Sequence, residues 1–331
     1  MHKISVIGAG SWGTALAILL ARQGHQVFLW GHDPEHLKAM MATRRNDRYL
    51  PDSVLPDGVA ITLQLATALA TSEIALVVVP SHAFREQLMQ IKQCKTYPSA
   101  FIWASKGVDP QTGQLLHLTM QEVLPHVKQF AVLSGPSFAR EVAAGLPTAI
   151  TLAANDEAFA QLCCRLFHSD YFRVYCSDDF IGVELGGIVK NIFAIAAGIS
   201  DGLNFGANAR CALITRGLAE MMRLGQALGA QPHTLMGLAG LGDLVLTCTD
   251  DQSRNRRFGL AIARNADIQQ AQQAIGQVVE GFRNTAQIYH IAQKYQVEMP
   301  ITEQVYKVLQ GQITPRQAVT NLLSRSASSE F

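Results

Sequence analysis

The chain has 331 residues, of which 48% are hydrophobic and 16% charged, with a formal net charge of +1. That length suits about two domains, and so apolar a composition excludes a disordered chain. The charge balance offers no electrostatic case for nucleic acid or an anionic membrane surface as a partner. Six cysteines, Cys94, Cys163, Cys164, Cys176, Cys211 and Cys248, include no CxxC pair. Reduced thiols in a cytoplasmic protein are expected, with no metal site. The vicinal pair Cys163 and Cys164 reads as two ordinary helix residues.

Short apolar runs over 3–7, 26–30, 59–63, 74–79, 100–104 and 130–133 read as strands, and helical patterns lie over 12–23, 34–43, 83–92 and 113–122. Apolar strands alternating with helices predict a parallel sheet buried on both faces. Runs over 149–153 and 171–175 extend it. Beyond about residue 178 the texture changes to helical patterns alone, over 179–199, 207–228, 254–264, 282–294 and 301–309, with glycines interrupting at 237–242. The boundary between an α/β part and an all-α part is expected within 176–179. The apolar stretch 181–200 carries Glu184, Lys190 and Asn191, so a buried helix is expected there and not a membrane span. The opening MHKISVIGAG has no cleavage-type segment and does not read as a signal peptide. The serine-rich tail 324–331 reads as a frayed terminus.

The segment 4–13, ISVIGAGSWG, places Gly8, Gly10 and Gly13 in GxGxxG spacing between a strand and a helix. Gly8 permits the tight turn, Gly10 lets a pyrophosphate approach the backbone, and Gly13 lets helix and strand pack closely. The helix N-terminus then offers free N–H groups to the phosphates. An NAD-selective site carries Asp or Glu at the end of the second strand; here Gly31 and His32 stand there and Asp33 follows. The missing carboxylate favours NADPH, with NADH as the alternative should Asp33 turn back to the ribose. Arg44 and Arg45 fall further along the next helix.

Three further constellations carry chemistry. Strand ends at Ser105-Lys106-Gly107 and Ser134-Gly135-Pro136-Ser137 point into the crevice where such sheets bind ligands. Lys106, Gly135 and Ser137 are candidate substrate contacts there, although a lysine after a strand is also an ordinary solvated loop residue. Lys190 and Asn191 interrupt an apolar helix. Burial suits a lysine to proton transfer, and the alternative is an ammonium that reaches water along the helix surface. Asp243 and Thr247 lie one helical turn apart after a glycine-rich segment, followed by Ser253, Arg254 and Asn255. Arginine suits bidentate contact with phosphate.

Together the motifs GAGSWGTA, SKG, SGPSFA, ELGGIVKNIFAIAAGISDG, GLAGLGDLVLTCT, SRNRRFG and VVEG resemble those of the soluble bacterial NAD(P)-dependent glycerol-3-phosphate dehydrogenases, over essentially the whole chain. The resemblance implies an α/β N-terminal Rossmann domain over 1–177 plus an all-α C-terminal substrate and catalytic domain over 178–331. It implies reversible reduction of dihydroxyacetone phosphate to sn-glycerol 3-phosphate by NADPH or NADH, in a cytoplasmic homodimer that supplies phospholipid synthesis. Lys190 matches the proton donor or acceptor, with Lys106 and Asp243 beside it in catalysis. Gly135, Ser137, Asn191, Asp243, Thr247, Ser253, Arg254 and Asn255 match the substrate site. Ser11, Trp12, His32, Lys106, Ala139, Arg254, Val278 and Glu280 match cofactor contacts, with the turn glycines. No metal is implied.

Overall fold

The computed structural model describes residues 1–264 and 267–325; of the tail read as frayed, residues 326–331 lie outside the described residues. The chain divides into two compact units, Met1–Glu184 and Leu185–Phe331.

The first unit contains ten strands: β1 (Lys3–Ile7), β2 (Gln26–Trp30), β3 (Arg45–Asn46), β4 (Leu50–Val54), β5 (Val59–Ile61), β6 (Ile74–Val77), β7 (Ala100–Trp103), β8 (Gln129–Ser134), β9 (Thr148–Ala154) and β10 (Phe172–Ser177). Between them run helices α1 (Ser11–Arg22), α2 (Pro34–Thr43), α3 (Leu65–Ala70), α4 (Ser81–Gln93), α5 (Leu116–Val123), α6 (Ala139–Ala144) and α7 (Glu157–Phe167). Eight strands form one sheet in the order β10-β9-β8-β7-β6-β1-β2-β5. The central strands are buried on both faces because helices cover both, which is why they read as continuous apolar runs. One core cluster joins Val6, Leu29, Leu76 and Leu133 of the sheet to Leu16 and Leu19 of α1 and to Phe159 and Phe167 of α7.

Two features depart from the expectation of a wholly parallel sheet. Strands β9 and β10 are parallel to each other, but β9 pairs antiparallel to β8, Ser134 facing Thr151. The connection from 135 to 147 holds only the short α6. It turns back at the end of the sheet where it began, whereas a parallel return needs a crossover to the opposite end. Strands β3 and β4 form a separate two-stranded hairpin that is too short and too polar to show in the sequence.

Order β6-β1-β2 makes β1 the topological switch point, since the chain leaves β1 for β2 on one side and returns to β6 on the other. The crevice at the carboxyl ends of β1 and β6 is where such sheets bind ligands.

The cysteine expectation is corrected at one pair. Cys164 of α7 and Cys176 of β10 form a disulfide, with Cα atoms 7.0 Å apart. Helix α7 packs on β10, which brings together two residues whose sequence spacing announced no motif. The other four cysteines are free; desolvation pushes the buried Cys163 and Cys248 thiols up to about 12.

The second unit is built around α8 (Phe180–Gly202), whose residues 182–200 are all buried. By length and hydropathy α8 alone among the described helices could cross a membrane, but 89% of that window is buried in the fold, so it reads as the core helix expected. Further helices follow: α9 (Gly206–Leu228), α10 (Pro232–Met236), α11 (Asp243–Thr249), α12 (Arg254–Ala263), α13 (Ile268–Ile275), α14 (Glu280–Lys294), α15 (Pro300–Leu309) and α16 (Pro315–Leu323). No strand occurs among the described residues of this unit. The compact units part inside α8, past the 177/178 boundary proposed from sequence, because the first turns of α8 are bound into the first unit. There Phe180 stacks on Trp103 with ring centroids 6.0 Å apart. Glu184 accepts from Trp103 Nε1 at 3.2 Å and the His117 backbone N–H at 3.1 Å, and pairs with His117 Nδ1 at 2.5 Å.

Glycine lets α8 and α12 meet backbone to backbone. A Cβ on Gly198 would lie 2.0 Å from the Arg256 carbonyl oxygen, and one on Gly259 would lie 2.1 Å from that of Ile195. The glycine-rich segment that read as an interruption is instead a π-helical turn, Leu238–Gly242, running into α11. Such turns often mark functional sites.

Glu220 of α9, 1% exposed, receives the N-terminus of α15. It accepts from Ile301 N at 2.5 Å, Thr302 N at 3.1 Å and Thr302 Oγ1 at 3.0 Å. Desolvation outweighs these donors and pushes its carboxyl up to about 7. A carboxyl raised on folding means that the native state holds a proton the unfolded chain releases, so stability falls as pH rises between the ordinary carboxylate range and about 7. Urea denaturation at stepped pH is expected to show that decline in the wild type, and Glu220→Gln is expected to flatten it.

Candidate active site

The dinucleotide turn lies at the switch point. Gly8 takes φ +125°, and a Cβ there would strike the Val78 carbonyl oxygen at 2.3 Å; one on Gly13 would strike Gly8 O at 1.9 Å. These two glycines close strand, turn and helix together. Gly10 differs, since a Cβ there would meet nothing within 4 Å. Gly10 is also the N-cap of α1, which has no side-chain cap and no acidic residue in its first turn. Uncapped N–H groups facing open space at a glycine are the donor set a pyrophosphate requires, so these residues fit a dinucleotide. Ser11 Oγ donates to Tyr49 O at 2.8 Å, and Trp12 packs against the core cluster.

Sequence reasoning overlooked the residue that fixes this turn. Asn46, fully buried on β3, donates from Nδ2 to Ala9 O at 3.0 Å and to Thr14 Oγ1 at 2.7 Å, and its Oδ1 accepts from Tyr49 N at 3.1 Å. Nothing in the sequence distinguishes this asparagine, because it sits in a hairpin with no apolar period.

At the end of β2, His32 is exposed. Asp33 is not free to turn toward a ribose. Its Oδ1 caps α2, accepting from Glu35 N and His36 N at 3.1 Å each, and its Oδ2 meets Arg48 at 3.2 Å. Those backbone bonds help hold its carboxyl below the usual range. Arg44 is spent on the carbonyls of Val59, Leu55 and Pro56, and Arg45 on that of Pro51. Arg48 is therefore the cation that the structure places beside the end of β2, also overlooked in the sequence.

Further along the carboxyl edge, one carbonyl gathers the expected residues. Gly135 O accepts from Lys106 Nζ at 3.3 Å and from Ser137 Oγ at 3.0 Å. Ser105 Oγ donates to Val79 O at 2.5 Å, which joins the β7 end to that of β6. Ala139 opens α6, half-buried.

In the second unit Lys190, 7% exposed, is paired with the carboxylate of Asp243, 1% exposed. Its Nζ also bonds Thr247 Oγ1 at 3.0 Å, while that hydroxyl donates to Asp243 O at 2.6 Å. The lysine thus does not reach for water; it is a buried charge neutralised by a buried carboxylate. Beside it, Asn255 Nδ2 donates to Asn191 Oδ1 at 2.8 Å, and Asn255 Oδ1 accepts from Gly281 N at 2.9 Å. That link joins α8, α12 and the first turn of α14, which Glu280 opens. Ser253 caps α12, accepting from Arg256 N at 3.2 Å. Arg254 follows, half-buried, its Nη1 3.5 Å from Val278 O. Desolvation pulls its guanidinium below the usual arginine range, partly offset by the charge of Glu280.

A largely parallel sheet with a glycine turn at its switch point, and a helical unit holding a buried lysine–carboxylate pair, define a nicotinamide-dinucleotide-dependent oxidoreductase. Comparison with known proteins makes this specific. Residues 3–160 match the N-terminal and residues 179–320 the C-terminal family model of NAD-dependent glycerol-3-phosphate dehydrogenase. The chain is 57% identical over 329 residues to the glycerol-3-phosphate dehydrogenase [NAD(P)+] of Shigella boydii, covering 99% of this chain and 97% of that protein. Identity and coverage are the same for the Cronobacter sakazakii enzyme of that name. The crystal structure of glycerol-3-phosphate dehydrogenase from Coxiella burnetii superposes with a TM-score of 0.95 at 50% identity, covering 98% of this chain and 99% of that one. The chain belongs to the NAD(P)-dependent glycerol-3-phosphate dehydrogenase family.

Removing the Asn46 side chain would strand a buried carbonyl and hydroxyl, at a cost of about 1–3 kcal/mol. Asn46→Ala is expected to raise the Kd for NADPH roughly tenfold, read by titrating cofactor fluorescence, with the far-ultraviolet circular dichroism unchanged.

Proposed function

We propose that the enzyme reduces dihydroxyacetone phosphate with Lys190 as the proton donor and the turn at 253–255 as the phosphate anchor. The buried Lys190–Asp243–Thr247 cluster carries the reading. A ketone gaining hydride at C2 develops negative charge on its oxygen and needs a proton there. Lys190 donates it, and in the reverse direction takes it back. Asp243 and Thr247 fix the direction of the ammonium, and Lys106 stabilises the developing alkoxide. Ser137 and the backbone of Gly135 hold the substrate hydroxyls. Ser253 and Arg254 bind the phosphate, far from the reacting carbon, and that binding energy orients the ketone. Asn191 and Asn255, whose amides hold each other and Gly281 N, stiffen the surround and leave only their remaining N–H groups for substrate.

When bound, the nicotinamide ring would supply or accept the hydride at its C4. For the dinucleotide, Gly8, Gly10, Ser11, Trp12 and Gly13 hold the pyrophosphate, and Lys106, Ala139, Arg254, Val278 and Glu280 complete its contacts. His32 and Arg48 receive a 2′-phosphate, which makes NADPH the favoured cofactor; the commitment of Asp33 to capping α2 supports this. The family resemblance further supports a cytoplasmic homodimer supplying sn-glycerol 3-phosphate for phospholipid synthesis.

Absorbance near ~340 nm follows the reaction. Lys190→Ala is expected to lower kcat by at least about 100-fold while the Kd for NADPH stays within about twofold; near-normal turnover would remove Lys190 from proton transfer. Arg48→Ala is expected to raise the KM for NADPH several-fold, about 5–10 times, and to leave that for NADH unchanged. Equal effects on both cofactors would place the 2′-phosphate elsewhere.

A further inference from the structure

Arg256 and Asp201 both stand where helix electrostatics disfavours them. Arg256 lies in the first turn of α12, at the positive end of its dipole, and Asp201 in the last turn of α8, at the negative end. Neither local propensity nor capping places them there. Both side chains are close to buried, 10% and 11% exposed, and Arg256 Nη2 donates to Asp201 Oδ2 at 2.6 Å. The Nη1 of Arg256 pairs with Asp251 in the turn that leads into α12. Asp201 also accepts two bonds from Arg210 Nη1 of α9, at 2.8 and 2.9 Å.

Close packing alone does not need these charges. Gly198 and Gly259 already bring the two helix backbones together, and an apolar pair would serve packing as well as a buried ion pair. What a forked guanidinium held by two carboxylates adds is direction. It fixes the rotation of the first turn of α12, and that turn begins with Ser253, Arg254 and Asn255. The Arg256 backbone N–H is itself the donor to the Ser253 cap.

We propose that Arg256 and Asp201 are positioning residues for phosphate recognition. Their ion pair sets the turn at 253–255 relative to Lys190, so that one end of the substrate is held while the other meets the proton donor. This rests on the functional reading above. Neither residue touches the substrate; both act through Arg254.

The test compares dihydroxyacetone phosphate with dihydroxyacetone, which lacks the group being positioned, using the full chain with saturating NADPH. Arg256→Met removes the fork at similar volume, and Asp201→Asn keeps the shape without the charge. Each is expected to lower kcat/KM for dihydroxyacetone phosphate at least about tenfold, mainly through KM, and to leave kcat/KM for dihydroxyacetone within about twofold. Arg254→Ala should show the same split, and Arg256→Lys should recover part of the loss. Parallel loss on both substrates would mean a merely structural pair, and no loss on either would mean that Arg254 needs no such support; each overturns the proposal. Where Arg256→Met fails to fold, Asp201→Asn carries the same comparison. Wild-type protein that oxidises no NADPH with dihydroxyacetone phosphate would instead remove the functional reading, and this proposal with it.

Discussion

A lysine ammonium inside a helix that is buried on every side is the constraint around which the second unit is organised. Lys190 occupies the middle of α8, and the core can hold its charge only because Asp243 meets it and Thr247 completes the contact. That requirement reaches well beyond three side chains. Asp243 must begin a helix at the right distance from α8, and the π-helical turn Leu238–Gly242 delivers it there. A regular α-helical approach would rotate the carboxylate to another face, because each inserted residue shifts the angle by about 100°. Removal of either partner would leave the other buried and uncompensated, which costs far more than the pair contributes. The unit is therefore specified by its chemistry as much as by its apolar core.

The same helix is crowded by backbone. At Gly198 and Gly259 there is no room for a methyl group, so α8 and α12 meet at a separation that ordinary side chains forbid. This approach places Asn255 within reach of Asn191 and of Gly281 N. Glycines that weaken α8 as an isolated helix thus become the condition for a network linking three helices. Local propensity and tertiary packing conflict here, and packing prevails because the helix is fully enclosed.

Much of this was legible in the sequence where a pattern had a period. The alternation of apolar runs and helices located the sheet, and the glycine spacing at 8, 10 and 13 located its dinucleotide turn. Lys190 was visible as a charge out of place in an apolar run. What escaped had no period and no apolar signal. The antiparallel return of β9 depends on a connection too short to cross the sheet, and runs of similar composition do not reveal direction. Asn46 and Arg48 act from a two-stranded hairpin whose polar residues resemble any loop. In the sequence Asp33 stands where it could turn back to a ribose; the donors of Glu35 and His36 that face it make it a helix cap instead. The Cys164–Cys176 pair depends on how α7 lies across β10, a matter of packing alone.

The β3–β4 hairpin has a consequence out of proportion to its size. It stands apart from the eight-stranded sheet and looks like the kind of surface excursion that tolerates trimming. Yet its buried asparagine reaches the carbonyl of Ala9 and the hydroxyl of Thr14, and the tyrosine carbonyl at its tip takes up the Ser11 hydroxyl. Shortening or nicking the chain there would leave a sheet that still folds around a nucleotide cleft with a slack mouth. Damage to this small excursion would thus look like a catalytic defect in a protein whose architecture was sound.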